Sequence, residues 1–320
     1  MSGGVEIPVR VAGVEDAAQG VKLFRLAARS GAPLPPFSAG AHVVVTIDAG
    51  GRRIRNPYSL VARAPDGSSY SIGVLRSPQS RGGSKHLHDH VSVGDELVIT
   101  MPINLFALVR TGRKHLLVAG GVGATPIYAM AEEAKREGRN YEIHYAMRDE
   151  ASAAFVDEMR RSHGDRLHVY RGALGERLAF DALLTGQPLG THLYVCGPER
   201  LIDAALEAGR AAGWPKESLH AERFLAPGGG QPFRVRLARA GITTQVRADQ
   251  SLLEAIEEAG VDAPYLCRGG ACGQCEVGVL CHDGELAHAD HYLTGEERAG
   301  GGKIMICVSR LKGRELTLDL

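Results

Sequence analysis

The sequence predicts a multidomain protein made of an antiparallel β-barrel, an α/β domain with a parallel sheet, and a small α+β domain at the C-terminus. Six short apolar or alternating segments with little helix signal, apart from a short helix expected to end near His90, fill the first third, and a β-α alternation fills the middle. A stretch rich in glycine and proline then precedes a cysteine-rich end. We expect the domains at residues 1–110, 111–226 and 233–320, with a linker at 227–232.

The composition fits a folded chain and excludes some classes of function. Hydrophobic residues make up 44% of the 320 residues, which is enough for packed cores. The 37 basic and 37 acidic residues give a formal net charge of zero, which argues against a nucleic-acid-binding protein. No apolar run reaches the roughly 20 residues that a membrane span needs, and the start does not resemble a signal peptide. We expect a cytoplasmic monomer with no membrane or nucleic-acid partner.

The spacing of apolar and turn residues predicts each element in order. In the barrel, strands are expected at 5–11, 21–26, 42–47, 58–62, 70–75 and 96–101, followed in the middle domain by strands at 115–120, 141–146, 167–171 and 192–196. Helices are expected there at 126–137, 152–161 and 199–212. In the last domain, a hairpin (233–239, 243–248) precedes a helix that the capping box Ser251–Glu254 opens, and strands at 276–280 and 315–320 follow.

Four of the six cysteines have a spacing that indicates an iron–sulfur site. Cys267, Cys272 and Cys275 form a C-x₄-C-x₂-C loop, and Cys307 lies 32 positions beyond Cys275. This is the plant-type [2Fe–2S] pattern, in which four thiolates hold two irons. The fold around such a loop suits a β-grasp domain of the ferredoxin kind. Cys281 falls outside the pattern, and we expect it to be a buried structural thiol.

The glycines of this loop fit the same interpretation. Gly269, Gly270 and Gly273 let the backbone curl around a cluster, where a Cβ would crowd the turn. A structural zinc site is the alternative, but zinc more often takes paired C-x₂-C knuckles or mixed Cys/His sets. A zinc-stabilised scaffold with a vestigial nucleotide fold is therefore the rival from another class of function.

Two segments of the middle domain indicate a nucleotide site at the carboxyl ends of parallel strands. A glycine-rich turn follows one strand and precedes a helix, where free amides and the helix dipole favour a pyrophosphate. It contains Gly120, Gly121, Gly123, Thr125 and Pro126. The second segment ends another strand, opposite that turn, and consists of Cys196, Gly197 and Pro198. Mere packing of a glycine-rich turn, or of a buried thiol, is the alternative interpretation.

Two segments of the barrel indicate a flavin site. One places a cation, an aromatic ring and a hydroxyl around the start of a strand, and contains Arg55, Asn56, Tyr58, Ser59 and Leu60. The other follows a strand and offers backbone N–H groups, hydroxyls and a guanidinium to a terminal phosphate. Its residues are Ser80, Arg81, Gly82, Gly83 and Ser84. A surface turn and a half-buried strand would explain either segment alone.

Over nearly its whole length, and in domain order, the chain resembles the phthalate dioxygenase reductase family, one-chain reductases that serve Rieske-type oxygenases. The family's R-x-Y-S flavin motif falls on 56–59, with Asn56 in the arginine position and Arg55 one residue earlier. The resemblance places Ile72 and Val74 beside the isoalloxazine and the Gly82–Ser84 loop on the phosphate, which implies FMN rather than FAD. It also implies that Cys267, Cys272, Cys275 and Cys307 hold the cluster.

The resemblance further implies the reaction and its partner. NADH would deliver a hydride to FMN, and single electrons would pass through the [2Fe–2S] cluster to a Rieske-type oxygenase component. The family's Glu-x-Phe motif falls on Glu222-Arg223-Phe224 and places Phe224 near the flavin. Thr125, Cys196 and Phe224 would position the nicotinamide against the flavin. At the end of a strand, Asp149 would favour NADH over NADPH, whereas its neighbour Arg148 would favour the 2′-phosphate. The same cofactor chain serving a P450 or another non-Rieske hydroxylase remains the alternative.

Overall fold

The computed structural model describes residues 5–78, 80–224 and 229–320. The proposed linker at 227–232 therefore lies partly outside the described residues. The first domain is a closed antiparallel barrel of six strands in the order β4-β5-β2-β1-β6-β3, and it closes because β3 also pairs with β4. Its elements are β1 (Glu6–Ala18), β2 (Val21–Ala28), β3 (Ala41–Ala49), β4 (Arg52–Arg63), β5 (Ser69–Leu75), α1 (Gly83–His90), β6 (Glu96–Thr100) and the short β7 (Ile103–Asn104).

Alternation of side chains along the strands builds the barrel core. In β1, Val9 and Val11 are fully buried, whereas Arg10 between them is exposed. Leu87 of α1 is also buried and joins the same core, so this short helix covers the barrel. The six strands expected from the sequence are all present, and the predicted barrel is confirmed.

The middle domain has a parallel sheet in the order β10-β9-β8-β11-β12. The order reverses between β8 and β11, and such a switch point is where open α/β sheets bind ligands at the carboxyl ends of their strands. The strands are β8 (Lys114–Gly120), β9 (Tyr141–Met147), β10 (Leu167–Arg171), β11 (Thr191–Cys196) and β12 (Leu219–Glu222). The helices are α2 (Ala124–Arg136), α3 (Val156–His163), α4 (Phe180–Leu184) and α5 (Glu199–Ala211).

Sequence reasoning missed two elements of this domain. Helix α4 has five residues, too few to show a helical period, and strand β12 has one strongly apolar residue, Leu219. Short 3₁₀ turns complete the chain path at Gly121–Gly123, Glu150–Ser152, Gly164–Arg166, Gly172–Leu174 and Lys216–Ser218.

The C-terminal domain is a mixed sheet in the order β14-β13-β19-β15-β17, with β13 and β19 parallel. Helix α6 packs Leu252, Leu253 and Ile256 into its core, and the expected capping box between Ser251 and Glu254 is present. The elements are β13 (Phe233–Leu237), β14 (Ile242–Val246), α6 (Leu252–Glu258), β15 (Glu276–His282), β16 (Glu285–Ala287), α7 (Gly295–Gly300), β17 (Lys303–Met305), β18 (Arg310–Lys312) and β19 (Glu315–Leu318).

The expectation that Cys281 is a buried thiol is wrong, because its side chain is exposed. The alternation of β15 buries Val277, and continuing it would bury Cys281. A register shift between Val279 and Cys281 breaks that alternation and turns the end of the strand toward solvent. No helix in the described part of the chain is long and apolar enough to cross a membrane.

Ion pairs join the barrel to the C-terminal domain. Arg81 Nη1 lies 2.8 Å from Glu254 Oε2 of α6, and both side chains are less than 10% exposed. Burial raises the pKa of Glu254, but the Arg81 guanidinium and Ser251 lower it more, so that the carboxyl stays ionised. Arg52 also pairs with Asp249. These contacts fix how α6 sits on the barrel.

Glu254→Gln should loosen this joint. The change leaves Arg81 buried without a charged partner, and breaking a buried pair in this way costs about 3–5 kcal/mol. The amides of α6 should therefore exchange hydrogen faster, measured by mass spectrometry. Glu258→Gln is the matched control, because its pair with Arg247 is 44% exposed on both sides and is worth about 1 kcal/mol or less. Equal exchange in the two variants would contradict a structural role for the buried pair.

Candidate functional site

Four of the five cysteines of the C-terminal domain converge in the structure. Cys275 Sγ and Cys307 Sγ are 3.1 Å apart, although 32 residues separate them in sequence. Cys267 is buried as well, and Cys272 is partly exposed. The Cys272 thiol and backbone N–H groups, including that of Gly269 at 3.4 Å, lower the pKa of Cys267 to about 5. Four thiols with amide donors beside them match the needs of an iron–sulfur cluster.

Two of the three glycines of the cluster loop have a conformation that requires glycine, as the sequence predicted. Gly270 and Gly273 have positive φ angles of 72° and 76°, and a Cβ on Gly273 would overlap the ring of Tyr292. Gly269 has neither feature, since a Cβ there would lie 3.6 Å from its nearest neighbour, the Cys267 carbonyl oxygen. The expectation of crowding at Gly269 is therefore wrong for the protein atoms.

The two flavin segments of the barrel meet in the structure. Gly83 approaches Asn56 so closely that a Cβ on Gly83 would overlap the Asn56 side chain. Gly82, with a φ of 117°, is the N-cap residue of α1. The hydroxyl of Ser80 accepts a hydrogen bond of 3.1 Å from the Gly82 N–H, and Ser84 is buried. The loop thus forms a cradle beside β4 that any larger residue would fill.

Residues further along β4 and β5 lie deeper in the barrel. Burial raises the pKa of Tyr58 to about 12, so that the phenol stays neutral. Leu60, Ile72 and Val74 are fully buried in the barrel core. Any flavin contact from these three residues would therefore come from their backbone atoms.

The barrel touches the nucleotide domain at Gly73 of β5. A Cβ on Gly73 would lie 2.6 Å from Thr125 Cγ2. Thr125 is itself buried, and its hydroxyl donates to the Val122 carbonyl over 2.9 Å. The strand expected beside a flavin and the helix expected beside a nucleotide are therefore in direct contact.

The two nucleotide segments also meet. A Cβ on Gly123 would overlap the Cys196 carbonyl, and a Cβ on Gly120 would be 2.7 Å from Pro198 Cδ. Gly197 packs against the Gly120 backbone. Gly121 has a φ of 53°, and Pro126 lies buried in the first turn of α2. Because Gly123 and Gly197 approach backbone atoms, a side chain cannot be accepted at these two positions, whereas Gly120 is enclosed by the side chains of Leu201 and Pro198.

A partly buried acid, Glu222, stands next to Cys196; it is the first residue of the Glu-x-Phe motif, of which only Phe224 was expected to act. Glu222 of β12 is in register with Cys196 of β11, and burial raises the pKa of Glu222 to about 8. The Ser59 hydroxyl of the barrel faces this carboxyl, although neither Ser59 Oγ nor Glu222 Oε2 has a well-aligned partner among the described residues. The pKa of Cys196 is raised by its burial and by the Glu222 charge, so the thiol stays protonated.

Phe155 is a second residue that no sequence pattern pointed to. It has a φ of 63°, which is strained for an aromatic residue. Its ring stacks on Tyr128 with centroids 5.4 Å apart, and its Cζ would be 3.6 Å from a Cβ on Gly73. Phe155 therefore packs into the same seam as Thr125.

Of five further site residues expected from the sequence, four form ion pairs with other protein side chains and one is half-exposed. Arg55 Nη1 pairs with Glu257 over 2.8 Å and Arg81 with Glu254, so both bind the C-terminal domain. Arg148 Nε donates to Asp149 over 2.8 Å, and this bond and those from Ser152 lower the pKa of Asp149. Phe224 is 48% exposed, in the chain segment between β12 and the proposed linker.

Two family models match the chain. The N-terminal domain of dimethylamine monooxygenase subunit DmmA-like proteins matches residues 98–219. The 2Fe-2S iron-sulfur cluster binding domain matches residues 235–312, which contain the four converging cysteines. The predicted [2Fe–2S] site is confirmed at the level of the domain.

Curated relatives match over nearly the full length. The heme-dependent oxidative N-demethylase beta subunit of Ectopseudomonas mendocina is 45% identical, with 98% of this chain and 99% of the relative covered. The carnitine monooxygenase reductase subunit of Escherichia coli is 40% identical, with 98% of each covered. Phthalate dioxygenase reductase of Burkholderia cepacia is 36% identical, with 98% and 97% covered.

Solved structures agree with these relatives. Phthalate dioxygenase reductase superposes with a TM-score of 0.88 at 34% identity, covering 98% of both chains. A type IV self-sufficient cytochrome P450 monooxygenase matches 99% of this chain with 41% of its own, at 41% identity and a TM-score of 0.73. The fold, the converging thiols and these full-length relatives lead to one conclusion: the chain is an oxidoreductase of the phthalate dioxygenase reductase family.

Proposed function

We propose that this chain oxidises NADH through FMN and passes single electrons through its [2Fe–2S] cluster to a separate oxygenase component. The observation that carries the proposal is the contact between the flavin strand and the cluster loop. Glu257 accepts from Arg55 of β4 and from Arg268, the residue after Cys267. A Cβ on Gly269 would be 4.0 Å from Pro57 of the same strand. FMN supplies the conversion between a two-electron donor and a one-electron acceptor.

The cradle at Gly82 and Gly83 supports FMN as the flavin. Its backbone N–H groups and the hydroxyls of Ser80 and Ser84 suit a terminal phosphate. Arg81 belongs to this loop, but its guanidinium is paired with Glu254. A bound phosphate would therefore share the positive charge of Arg81 with the Glu254 carboxylate. We therefore assign most of the phosphate binding to the backbone of the loop.

NADH is favoured over NADPH by Asp149. Its carboxyl follows β9 at the carboxyl edge of the sheet, where it can accept from a ribose 2′-hydroxyl. Because Arg148 and Ser152 hold the pKa of Asp149 low, the carboxylate is charged and repels a 2′-phosphate. The Arg148 guanidinium is bound to Asp149, which reduces its value as a phosphate ligand.

Ser59, Cys196 and Glu222 form the polar part of the seam between the flavin and nucleotide segments. At neutral pH the Glu222 carboxyl and the Cys196 thiol both keep their protons. Glu222 can therefore hold a proton at its carboxyl oxygen beside Ser59 without placing a charge there. Thr125 and Phe224 would position the nicotinamide. Phe155, which packs beside Gly73, would keep Thr125 in place.

The oxygenase partner has two candidates. A Rieske-type oxygenase component follows from the resemblance, and phthalate dioxygenase reductase is among the relatives. A heme-containing oxygenase is the second candidate, because the 45% identical relative is named a heme-dependent oxidative N-demethylase subunit. The 41% identical match to a self-sufficient cytochrome P450 monooxygenase favours the same alternative.

Cys275→Ser should separate flavin reduction from electron transfer. Removing one thiolate from the four should abolish the cluster, while the barrel and the nucleotide domain stay intact. In an anaerobic titration with NADH, the variant should still bleach its flavin absorption but should lack the broad cluster absorption. Reduction of cytochrome c should fall at least tenfold. Cys281→Ser is the control and should behave as wild type, since Cys281 is exposed and outside the cluster set. A colourless protein after reconstitution with flavin and iron would overturn the proposal.

The acceptor can be identified by direct reduction. We expect the NADH-reduced protein to reduce a purified Rieske oxygenase component under anaerobic conditions, followed by the absorption of the Rieske centre. The alpha component of a heme-dependent N-demethylase should be tested in parallel by its heme absorption. Preferential reduction of the heme protein, by tenfold or more in second-order rate constant, would replace the Rieske partner by the second candidate and leave the reductase function standing.

Glu222→Gln should remove the loss of folding stability that wild type undergoes as the pH rises. The folded pKa of about 8 lies above that of an ordinary glutamate, so the folded state holds a proton that the unfolded state releases above about pH 4.5. Stability therefore falls as the pH rises from about 4.5 to 8 and then levels off. We expect the variant to gain on the order of 4 kcal/mol relative to wild type between pH 5 and pH 9, measured by urea denaturation at both values. A constant difference would show that Glu222 is not buried as an acid.

A further inference from the structure

A group of metal-ligating side chains lies on β9 and β10, apart from the cysteines. Glu142 and His144 are two positions apart on β9, and His168 of β10 is in register with His144. One ligand atom from each of the three residues lies within 4.8 Å of the others. The two imidazole rings stack with centroids 4.8 Å apart. Neighbouring strands therefore bring two histidines and a carboxylate to one spot.

The histidine at the centre of this group is buried and has an unused nitrogen. His144 is 4% exposed, and its Nε2 has no hydrogen-bond partner among the described residues. That atom faces Glu142 Oε2 at 3.6 Å. A buried ring nitrogen without a partner is costly in a folded protein, and a bound cation would satisfy it.

The partners around the group orient the three ligands. Tyr170 Oη lies 3.0 Å from His144 Nδ1, which leaves Nε2 free for a metal when Nδ1 carries the proton. Lys114 Nζ lies 2.8 Å from Glu142 Oε1 and 3.0 Å from Gln187 Oε1, so it holds one carboxylate oxygen and leaves Oε2 toward His144. Metal-binding histidines and carboxylates usually have such outer partners, which fix their tautomer and orientation.

The group is separate from the proposed redox site and open to solvent. Ile143 and Tyr145 point into the core beneath α2, so Glu142 and His144 project from the opposite face of the sheet. His168 is exposed, which gives an ion an entry path and leaves room for water ligands. The nucleotide turn begins at Gly120, which is in register with Ala146, so it lies on the neighbouring strand β8 and two residues further along than His144.

We propose that Glu142, His144 and His168 form a binding site for one Zn²⁺-class divalent transition metal ion. Two imidazoles and one carboxylate are a ligand set that zinc, copper and nickel accept, whereas Mg²⁺ and Ca²⁺ prefer oxygen ligands. The ion would link β9 to the edge strand β10. The Lys114 charge beside Glu142 weakens the attraction of the site for a cation, which favours a reversible site over a permanently filled one.

Zn²⁺ binding to the untagged, oxidised holoprotein tests the proposal. Calorimetric titration should show one equivalent bound. His168→Gln should weaken binding at least about 100-fold, because loss of a ligand costs more than the 10–100-fold that loss of an outer partner costs. Tyr170→Phe should weaken it by about tenfold. His168 is exposed, so its substitution leaves the fold intact, which unchanged flavin and cluster absorption would verify.

Two controls distinguish this site from other ligands. His282→Gln removes a different exposed histidine, and Cys281→Ser removes the exposed thiol; neither should change Zn²⁺ affinity. Electron paramagnetic resonance of Cu²⁺ added to the oxidised protein should show coupling to two nitrogens in wild type, and to one in His168→Gln. Absence of stoichiometric Zn²⁺ binding, or binding that survives His168→Gln, would overturn the proposal without affecting the proposed reductase function.

Discussion

The carboxylate of Glu257 is the interaction on which the arrangement of the domains depends. It accepts from Arg55 of the barrel and from Arg268 of the cluster loop, and the Arg268 guanidinium also covers the Tyr265 ring at 3.9 Å. Burying three charged groups is costly, and ion clusters of this kind are weak evidence for stability. Their geometric effect is clear, because they tie the strand that carries the flavin motif to the residue that follows the first cluster ligand.

The ion pairs between the barrel and the C-terminal domain match the uneven distribution of charge along this chain of zero net charge. Residues 229–320 hold 10 basic and 13 acidic residues, a net charge of −3, so the rest of the chain has +3. Three barrel arginines, Arg52, Arg55 and Arg81, meet this acidity at α6 and the turn before it. These arginines lie next to the phosphate cradle, so the flavin phosphate and the carboxylates of the C-terminal domain compete for the same positive charges. The flavin site and the joint between the domains are therefore electrostatically coupled.

Features set by local sequence were predictable, and features set by distant contacts were not. The cluster ligands follow from cysteine spacing, and the barrel strands and βα units follow from periodicity. The Glu-x-Phe motif contains Glu222, but its role was missed because that role arises from its register with Cys196 and from burial, which a motif does not show. The pairing of Arg55 with Glu257 joins residues 202 positions apart, and the strained Phe155 follows two alanines that give no sign of it.

Close approaches at glycine positions shape both the seam between the barrel and the nucleotide domain and the nucleotide turn itself. At the seam, Gly73 meets the buried side chain of Thr125, and within the turn Gly123 meets the Cys196 carbonyl, at distances that exclude a Cβ. Backbone atoms in regular elements have few alternative positions, so surfaces made from them hold their shape better than surfaces of long side chains. The flavin and nucleotide segments are thereby fixed relative to each other before any cofactor binds, and the cost of orientation is met during folding rather than in each catalytic cycle.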